Sequence, residues 1–418
     1  MSNIHQHNEK QDFAGMKKFR LADFFNQWWN EYLKKPKEPV LPWQLKAVNA
    51  LRVCRTGAFG IEVYACESCG EIKETLYSCK NRFCPTCSWK DTMLWAEKTA
   101  DKMLNVPHKH VIFTLPHQVL GLVKRNQALL YNALMRAAAD TLLQWTEHKF
   151  GIRPGLVMVL HTFGEKKNYH VHVHIILSWG GLDIKDKSLK NIDIKHVPFI
   201  FLRKKFRWLF EQQIVELYEK KKLQHNFANK TALKSWFKTI NRKPWNIRIE
   251  GTINNPQDVI RYIGRYSKRC CLSEYKITEM QGENISFRYK DYKDKDENNK
   301  AKEKILSLHY RDFFPLLLQH VPLPNFRMVR YYGVYARRDL IPEDYISGNQ
   351  ILDKEVENET KKMEACTAYQ PMHCQHCNQS MAYQYSEISY YRSWKQGKPK
   401  DKITWQKNTA KHMENEAA

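Results

Sequence analysis

Six cysteines fall within the 34 residues from Cys54 to Cys87, and four of them form two C-x2-C pairs. The pairs are Cys66/Cys69 and Cys84/Cys87, with fourteen residues between them. A C-x2-C turn aims two sulfurs at one point, and two such turns at this separation suit a tetrahedral zinc ion. Free buried cysteines would not account for two knuckles flanked by Gly70, Asn81 and Pro85. The spacing therefore predicts a zinc module bound by Cys66, Cys69, Cys84 and Cys87, with Cys54 or Cys79 able to replace one of them. Four thiolates leave no open position, so the site is structural. A third knuckle, Cys374-x2-Cys377, has only Cys366, His373 and His376 nearby and reads equally well as surface thiols.

The total of eleven cysteines is odd, and the N-terminus from Met1 to His7 is polar, without the apolar core of an export signal. Both argue against a disulfide-stapled scaffold and for a reducing, cytoplasmic setting. No apolar run approaches the ~20 residues that span a bilayer, so no membrane role is expected. Across 418 residues, 68 Lys+Arg against 44 Asp+Glu leave a net charge of +24, and 43% hydrophobic content excludes a disordered chain. The length allows two to four domains. Such a charge asks for a polyanion, most commonly nucleic acid, because each neutralised phosphate releases counterions. A nucleoid-associated protein fits that balance.

Along the chain, residues 1–41 read as a polar, basic segment with an aromatic patch, Phe24-Phe25-Asn26-Gln27-Trp28-Trp29. Residues 42–100 form the cysteine module, beginning with a helix over Trp43–Arg52. A strand, His110–Leu115, opens a domain spanning 105–275, and residues 117–149 carry one long 3.6-residue apolar period. Strands at Leu156–Phe163 and Tyr169–Ser178 form a hairpin around Gly164–Asn168. A basic amphipathic helix covers Lys204–Lys222, a strand Trp245–Ile253, and a helix Pro256–Arg269. Residues 276–340 hold a strand at Ile285–Tyr289 and then a charged surface loop, 290–304. The polar tail, 341–418, carries the minor knuckle, and 395–418 reads as disordered.

Two constellations carry chemistry. In Tyr169-His170-Val171-His172-Val173-His174, alternation on a strand puts three imidazoles on one face and the valines on the other. The apolar run Val173–Leu177 sets that strand deep in a sheet, where co-facial histidines make a poor core but a good metal site. In Arg261-Tyr262-Ile263-Gly264-Arg265-Tyr266-Ser267-Lys268-Arg269, two tyrosines stand at i, i+4 on one helical face among four cations. Packing would explain the tyrosines but not the cations, which favour a phenolate nucleophile. A histidine-held divalent metal that polarises a phosphodiester, with a helix-borne tyrosine to attack it, meets a nuclease's specification.

His172-Val173-His174 resembles the His-hydrophobic-His motif of HUH endonucleases, and the Tyr-x3-Tyr pair resembles their two-tyrosine class. More closely, the chain resembles the rolling-circle transposases of the insertion sequence ninety-one family. The matches begin with Cys54-Arg55-Thr56-Gly57-Ala58, the knuckles through Asn81-Arg82-Phe83-Cys84-Pro85, and Val111–Pro116. They continue through Leu160-His161-Thr162-Phe163-Gly164, Tyr169–His174, Arg261–Tyr266, Phe287–Tyr292 and Arg330-Tyr331-Tyr332-Gly333, in family order over about residues 42–337. Phe83 stands where the family often has His, and Val171 where Pro is usual.

The resemblance implies an α+β fold: an HUH antiparallel sheet with packed helices, preceded by a small cysteine-rich zinc module. It implies nicking of single strands at the ends of an insertion sequence and transfer to a target through a 5′-phosphotyrosine. Tyr262 and Tyr266 would be nucleophiles, and His172 and His174 ligands of Mg²⁺ or Mn²⁺, with His170 as a neighbour. His161 and Gln257 are third-ligand candidates. Arg261, Arg265, Lys268 and Arg269 would face DNA, while Zn²⁺ is structural. An HUH replication initiator or relaxase shares the chemistry but not the zinc module. A non-catalytic zinc regulator would need neither histidines nor tyrosines.

Overall fold

The computed structural model describes residues 19–100, 102–194, 196–242, 245–253, 270–346 and 373–387. Helix α1 (Leu21–Lys34) buries Leu21, Phe24, Phe25, Trp29 and Tyr32 along one apolar stripe. The segment expected to be merely polar and basic is therefore, from residue 21, a core helix. Helix α2 (Pro42–Arg52) starts at a proline whose missing N–H costs nothing there, and Gln44 Oε1 accepts the Leu41 N–H at 2.9 Å. Strands β1 (Ile61–Ala65) and β2 (Ile72–Leu76) pair as a hairpin, and α3 (Pro85–Ala100) follows.

Strand β3 (His108–Thr114) leads to α4 (Leu120–Arg125) and α5 (Gln127–Phe150). The single periodic stretch breaks at Asn126, whose amide donates to the carbonyls of Leu122 and Gln224 and accepts the Gln224 N–H. Such side-chain bonds compete with helix continuation. Helix α5 ends on Gly151 at φ 66°, the left-handed cap that glycine favours. Next come β4 (Ile152–Phe163), β5 (Tyr169–Asp183), β6 (Leu189–Asn191), α6 (Phe199–Glu219), α7 (Lys230–Ile240) and β7 (Asn246–Ile253). After residue 270 follow β8 (Ile277–Gln281), β9 (Asn284–Lys295), β10 (Ala301–His309), α8 (Tyr310–Leu318), β11 (Val329–Gly333) and β12 (Ala382–Glu387).

The central six-stranded sheet runs β11-β4-β5-β3-β7, with β6 on the far end of β5, and its pairings are antiparallel. Antiparallel sheets with segregated helices make the fold α+β, as expected. On one face Val171, Val173, Ile175 and Leu177 of β5 join Leu156, Met158 and Leu160 of β4 and Phe113 of β3. Helices α5 and α6 cover that face with residues such as Leu134, Leu142, Phe206 and Phe210. On the other face Val157, Val159 and Ile176 pack with Leu104 and Tyr335 at one end, leaving the opposite end to histidines. At the edge, Gly333 has φ 61°, and a Cβ there would lie 1.8 Å from the Pro154 carbonyl oxygen, so only glycine fits.

A second core unites α1 and α2 with Phe83, Cys84 and Cys87, Cys270 to Leu272, and the β8–β10 and α8 segment. Phe25 stacks on Phe314 at 4.4 Å between ring centroids. The expected loop 290–304 is instead mostly strand: β9 and β10 form a hairpin held by cross-strand pairs such as Lys304–Asp291 and Arg288–Glu303. Opposite charges facing each other across a ladder stabilise it without any apolar signal. The tail also differs from expectation. β12 pairs with β1, so the three-stranded ribbon sheet runs β12-β1-β2. Among the described residues, no helix is long and apolar enough to cross a membrane.

Candidate metal centres and the histidine face

Antiparallel register sets His172 opposite His161 on β4, and His174 opposite Ile112 on β3. Facing residues share a side of the sheet, so His110, His161, His172 and His174 converge on the face away from α5 and α6. Nitrogens of His161, His172 and His174 lie within 4.8 Å of one another. His172 Nε2 and His174 Nε2 are 3.0 Å apart. His170 lies beside them, its ring centroid 5.0 Å from that of His172, but is not in the three-histidine group.

The protons behind these rings can be placed by elimination. His172 Nδ1 lies 3.0 Å from the His170 carbonyl oxygen, which can only accept, so Nδ1 donates and Nε2 carries a lone pair. Glu250 Oε2 is 2.6 Å from His110 Nδ1, and His110 Nε2 is 2.8 Å from His174 Nδ1. With the carboxylate ionised, His110 donates to Glu250, His174 donates to His110, and the His174 Nε2 lone pair faces that of His172. Two lone pairs at 3.0 Å repel unless a cation lies between them, and about 3.0 Å is the edge of an octahedron with ligands near 2.1 Å. The donor set fits a divalent metal. Burial, with the His170 and His110 imidazoles adding repulsion, pushes His172 down to about 3. Burial and the imidazoles of His161, His172 and His110 likewise hold His174 well below the usual range. Both rings stay neutral, as ligands must. His110 and Glu250 are the partners that sequence reading missed. His110 had a signal, an even offset on the strand beside the histidine strand; Glu250 had none without the β3–β7 pairing.

Tyr262, Tyr266, Gln257, Arg261, Arg265, Lys268 and Arg269 lie outside the described residues, as does the helix expected over 256–269. The flanks of that segment are described. Ile253 pairs with His108 of β3, and the Cys270 N–H donates to Ser88 Oγ of α3 at 3.0 Å. Cys270 and Cys271 line a small cleft together with His161, Arg82, Phe163 and His320.

The cysteines form two four-sulfur clusters rather than the expected set. Cys54, Cys79, Cys84 and Cys87 make one; Cys66 and Cys69 lie instead with Cys374 and Cys377. Cys66, Cys69, Cys84 and Cys87 are thus not brought together, because the β1–β2 hairpin carries its knuckle to the tail strand. Cys54 and Cys79, expected only as substitutes, complete the Cys84/Cys87 knuckle. In that cluster Cys54 Sγ is 3.5 Å from Cys87 Sγ and 3.9 Å from Cys84 Sγ, close to the edge of about 3.8 Å of a zinc–sulfur tetrahedron.

A cysteine module that fits zinc is joined to an α+β domain with clustered imidazoles on its sheet, and the comparisons define the class. Residues 155–340 match the family model described as "Putative transposase", and residues 24–115 match the "Transposase zinc-binding domain". The chain belongs to the insertion sequence ninety-one family of transposases, with an N-terminal zinc-binding domain. It is 28% identical over 328 residues to "Putative transposase y4qJ" of Sinorhizobium fredii, covering 76% of this chain and 80% of that one. It is 29% identical over 306 residues to "Transposase for insertion sequence element IS801" of Pseudomonas savastanoi pv. phaseolicola, covering 71% of each. No solved structure matches. The family implies DNA binding and strand transfer, and the cysteine clusters support structural Zn²⁺.

Proposed function

We propose that this transposase cuts and rejoins single DNA strands at the ends of its element by rolling-circle chemistry, through a 5′-phosphotyrosine. The observation that carries the reading is the convergence of the His172 and His174 lone pairs, with His161 beside them. These residues would hold Mg²⁺ or Mn²⁺, which when bound withdraws charge from the scissile phosphate. His110 and Glu250 keep His174 in its metal-ready tautomer, the carboxylate accepting one imidazole proton and that imidazole accepting the next. Tyr262 or Tyr266 attacks phosphorus, the bond to the 3′ oxygen breaks, and that oxygen leaves as a hydroxyl after taking up a proton. The 5′ phosphate stays on the tyrosine, ready for a new 3′ hydroxyl. Arg261, Arg265, Lys268 and Arg269 favour the phenolate and neutralise DNA phosphates. Supporting the approach of this segment to the metal face, Cys270 and Cys271 share a cleft with His161. Cys54, Cys79, Cys84 and Cys87 would hold the structural zinc.

The test is cleavage of a single-stranded oligonucleotide from an element end. His172→Ala and His174→Ala should each slow nicking by roughly a thousand-fold, the loss of about 4 kcal/mol of transition-state stabilisation. DNA affinity should stay within a few-fold. Wild-type nicking by either variant, or full activity in EDTA, would overturn the reading.

A further inference from the structure

The cluster of Cys66, Cys69, Cys374 and Cys377 joins one knuckle inside the zinc-binding match, residues 24–115, to one beyond both family matches, which end at residue 340. Cys66 Sγ is 3.4 Å from Cys377 Sγ, Cys69 Sγ is 3.4 Å from Cys374 Sγ, and Cys69 and Cys377 are 3.6 Å apart. Disulfide sulfurs would be about 2.0 Å apart, so these are not bonds. They are near the edge of about 3.8 Å of a tetrahedral zinc–thiolate site.

The two halves are built alike. The Gly70 N–H donates to the Cys66 carbonyl at 2.8 Å, and the Asn378 N–H to the Cys374 carbonyl at 2.9 Å. The Cys66 N–H then reaches Glu71 O, and the Cys374 N–H reaches Gln379 O, each at 2.8 Å. The residue after each second cysteine is left-handed, Gly70 at φ 75° and Asn378 at φ 59°. A tail segment that folds into the same turn as Cys66–Gly70, and aims its sulfurs at the same point, is a half-site. Among the described residues the ribbon's buried cluster is small, Tyr64, Cys66, Cys374 and Met381 with Tyr383 packed against it, and Ile72 on β2 is exposed. A three-stranded sheet with so small a core needs a staple.

We propose that Cys66, Cys69, Cys374 and Cys377 bind a second structural zinc ion, which fastens the tail strand β12 to the N-terminal ribbon. Four thiols and one Zn²⁺ give a tetrathiolate site and release four protons to solvent. An all-sulfur tetrahedral set selects zinc or iron over the harder metals, and its four protein ligands leave no open position. The site ties positions 311 residues apart, so the tail becomes part of the zinc module rather than an appendage.

Metal analysis of the full chain purified without added chelator should find two zinc ions, and Cys374→Ser with Cys377→Ser should leave one. One zinc in the wild-type chain, or iron in place of zinc, overturns the proposal. Should the double variant fail to fold, alkylation of the wild-type chain decides. Cys69 and Cys377 are exposed and would react at once if free. Protection of both in the zinc-loaded chain, lost together with that of Cys66 and Cys374 on chelation, supports the site; immediate alkylation refutes it. Neither readout depends on nicking, so this result stands or falls apart from the tyrosine mechanism.

Discussion

Replacing Glu250 by glutamine removes one charge from behind the histidine face and almost nothing else. Glu250 Oε2 lies 2.6 Å from His110 Nδ1, whose ring passes the contact on to His174 at 2.8 Å. The His110 side chain is 3% exposed and that of Glu250 is 23% exposed, so the bond is shielded at one end and partly screened at the other. A hydrogen bond to a charged partner contributes about 1.5–3 kcal/mol. Glutamine keeps an oxygen acceptor for the His110 N–H, so roughly half of that, about 0.8–1.5 kcal/mol, disappears with the charge. This corresponds to a loss of metal affinity of up to about 10-fold, at the low end of what changes to the hydrogen-bond partners of metal ligands produce. Calorimetric titration with Mn²⁺, and the Mn²⁺ dependence of nicking, should both shift by that factor. The rate at saturating Mn²⁺ should recover to within a few-fold, and DNA affinity should not change. Arg248 pairs with the other carboxylate oxygen at 3.3 Å, but its side chain is 65% exposed; Arg248→Gln should change Mn²⁺ affinity less than about 2-fold. Unaltered Mn²⁺ affinity in Glu250→Gln would show that the Glu250–His110 contact is packing and would undo the proton assignment at His174.

Two further outcomes are expected. Tyr262→Phe and Tyr266→Phe should each still form a covalent adduct with a short single strand while failing in complete transposition, and the double variant should form none; peptide mapping of adducts to a single tyrosine would make the other dispensable. Cys54→Ser and Cys66→Ser should each release one zinc, but from different sites, so their combination should release both; loss of the same ion by both would return the ligands to a single site.

What was legible in the sequence was whatever is local. Alternation at Val171, His172, Val173 and His174 is a property of one strand, and the register with β4 and β3 then placed it as the pattern demanded. The helix α2 and the hairpin around Gly164–Asn168 were local for the same reason. Partner choice among cysteines is not local. A C-x2-C turn specifies half a site: Cys66/Cys69 and Cys84/Cys87 each read as a knuckle in the sequence, and the structure sets them in different clusters. That pairing depends on β1 lying between β2 and β12. Helix α1 was hidden by its setting: the stripe Leu21, Phe24, Phe25, Trp29, Tyr32 has helical spacing, yet a basic, polar segment precedes it. The β9–β10 hairpin was hidden by chemistry, since Lys304 with Asp291 and Asp294, and Lys302 with Asp294, stabilise strands that hydrophobic patterning reads as loop.

The far end of the segment that carries the tyrosines is tied to the cysteine module. Ile253 ends β7 opposite His108 of β3, so the chain leaves the sheet at the end where His108 meets Tyr335, away from His172 and His174. It is described again at Cys270, bonded to Ser88, the residue after the sulfur ligand candidate Cys87. Cys270 and Cys271 are buried in the same core as Cys54, Cys84, Cys87 and Phe83. The far anchor of the tyrosine segment is therefore packed against the knuckle. Reactive groups must be held within about half an ångström of a productive geometry, and rigid neighbours are what hold them. On the proposed tyrosine mechanism, a four-sulfur site that rigidifies Cys84–Ser88 would also steady the end of the segment that carries Tyr262 and Tyr266. On this logic the cysteine module supports the neighbouring part of the transposase domain as well as itself, which gives a physical reason for the two to occur in one chain.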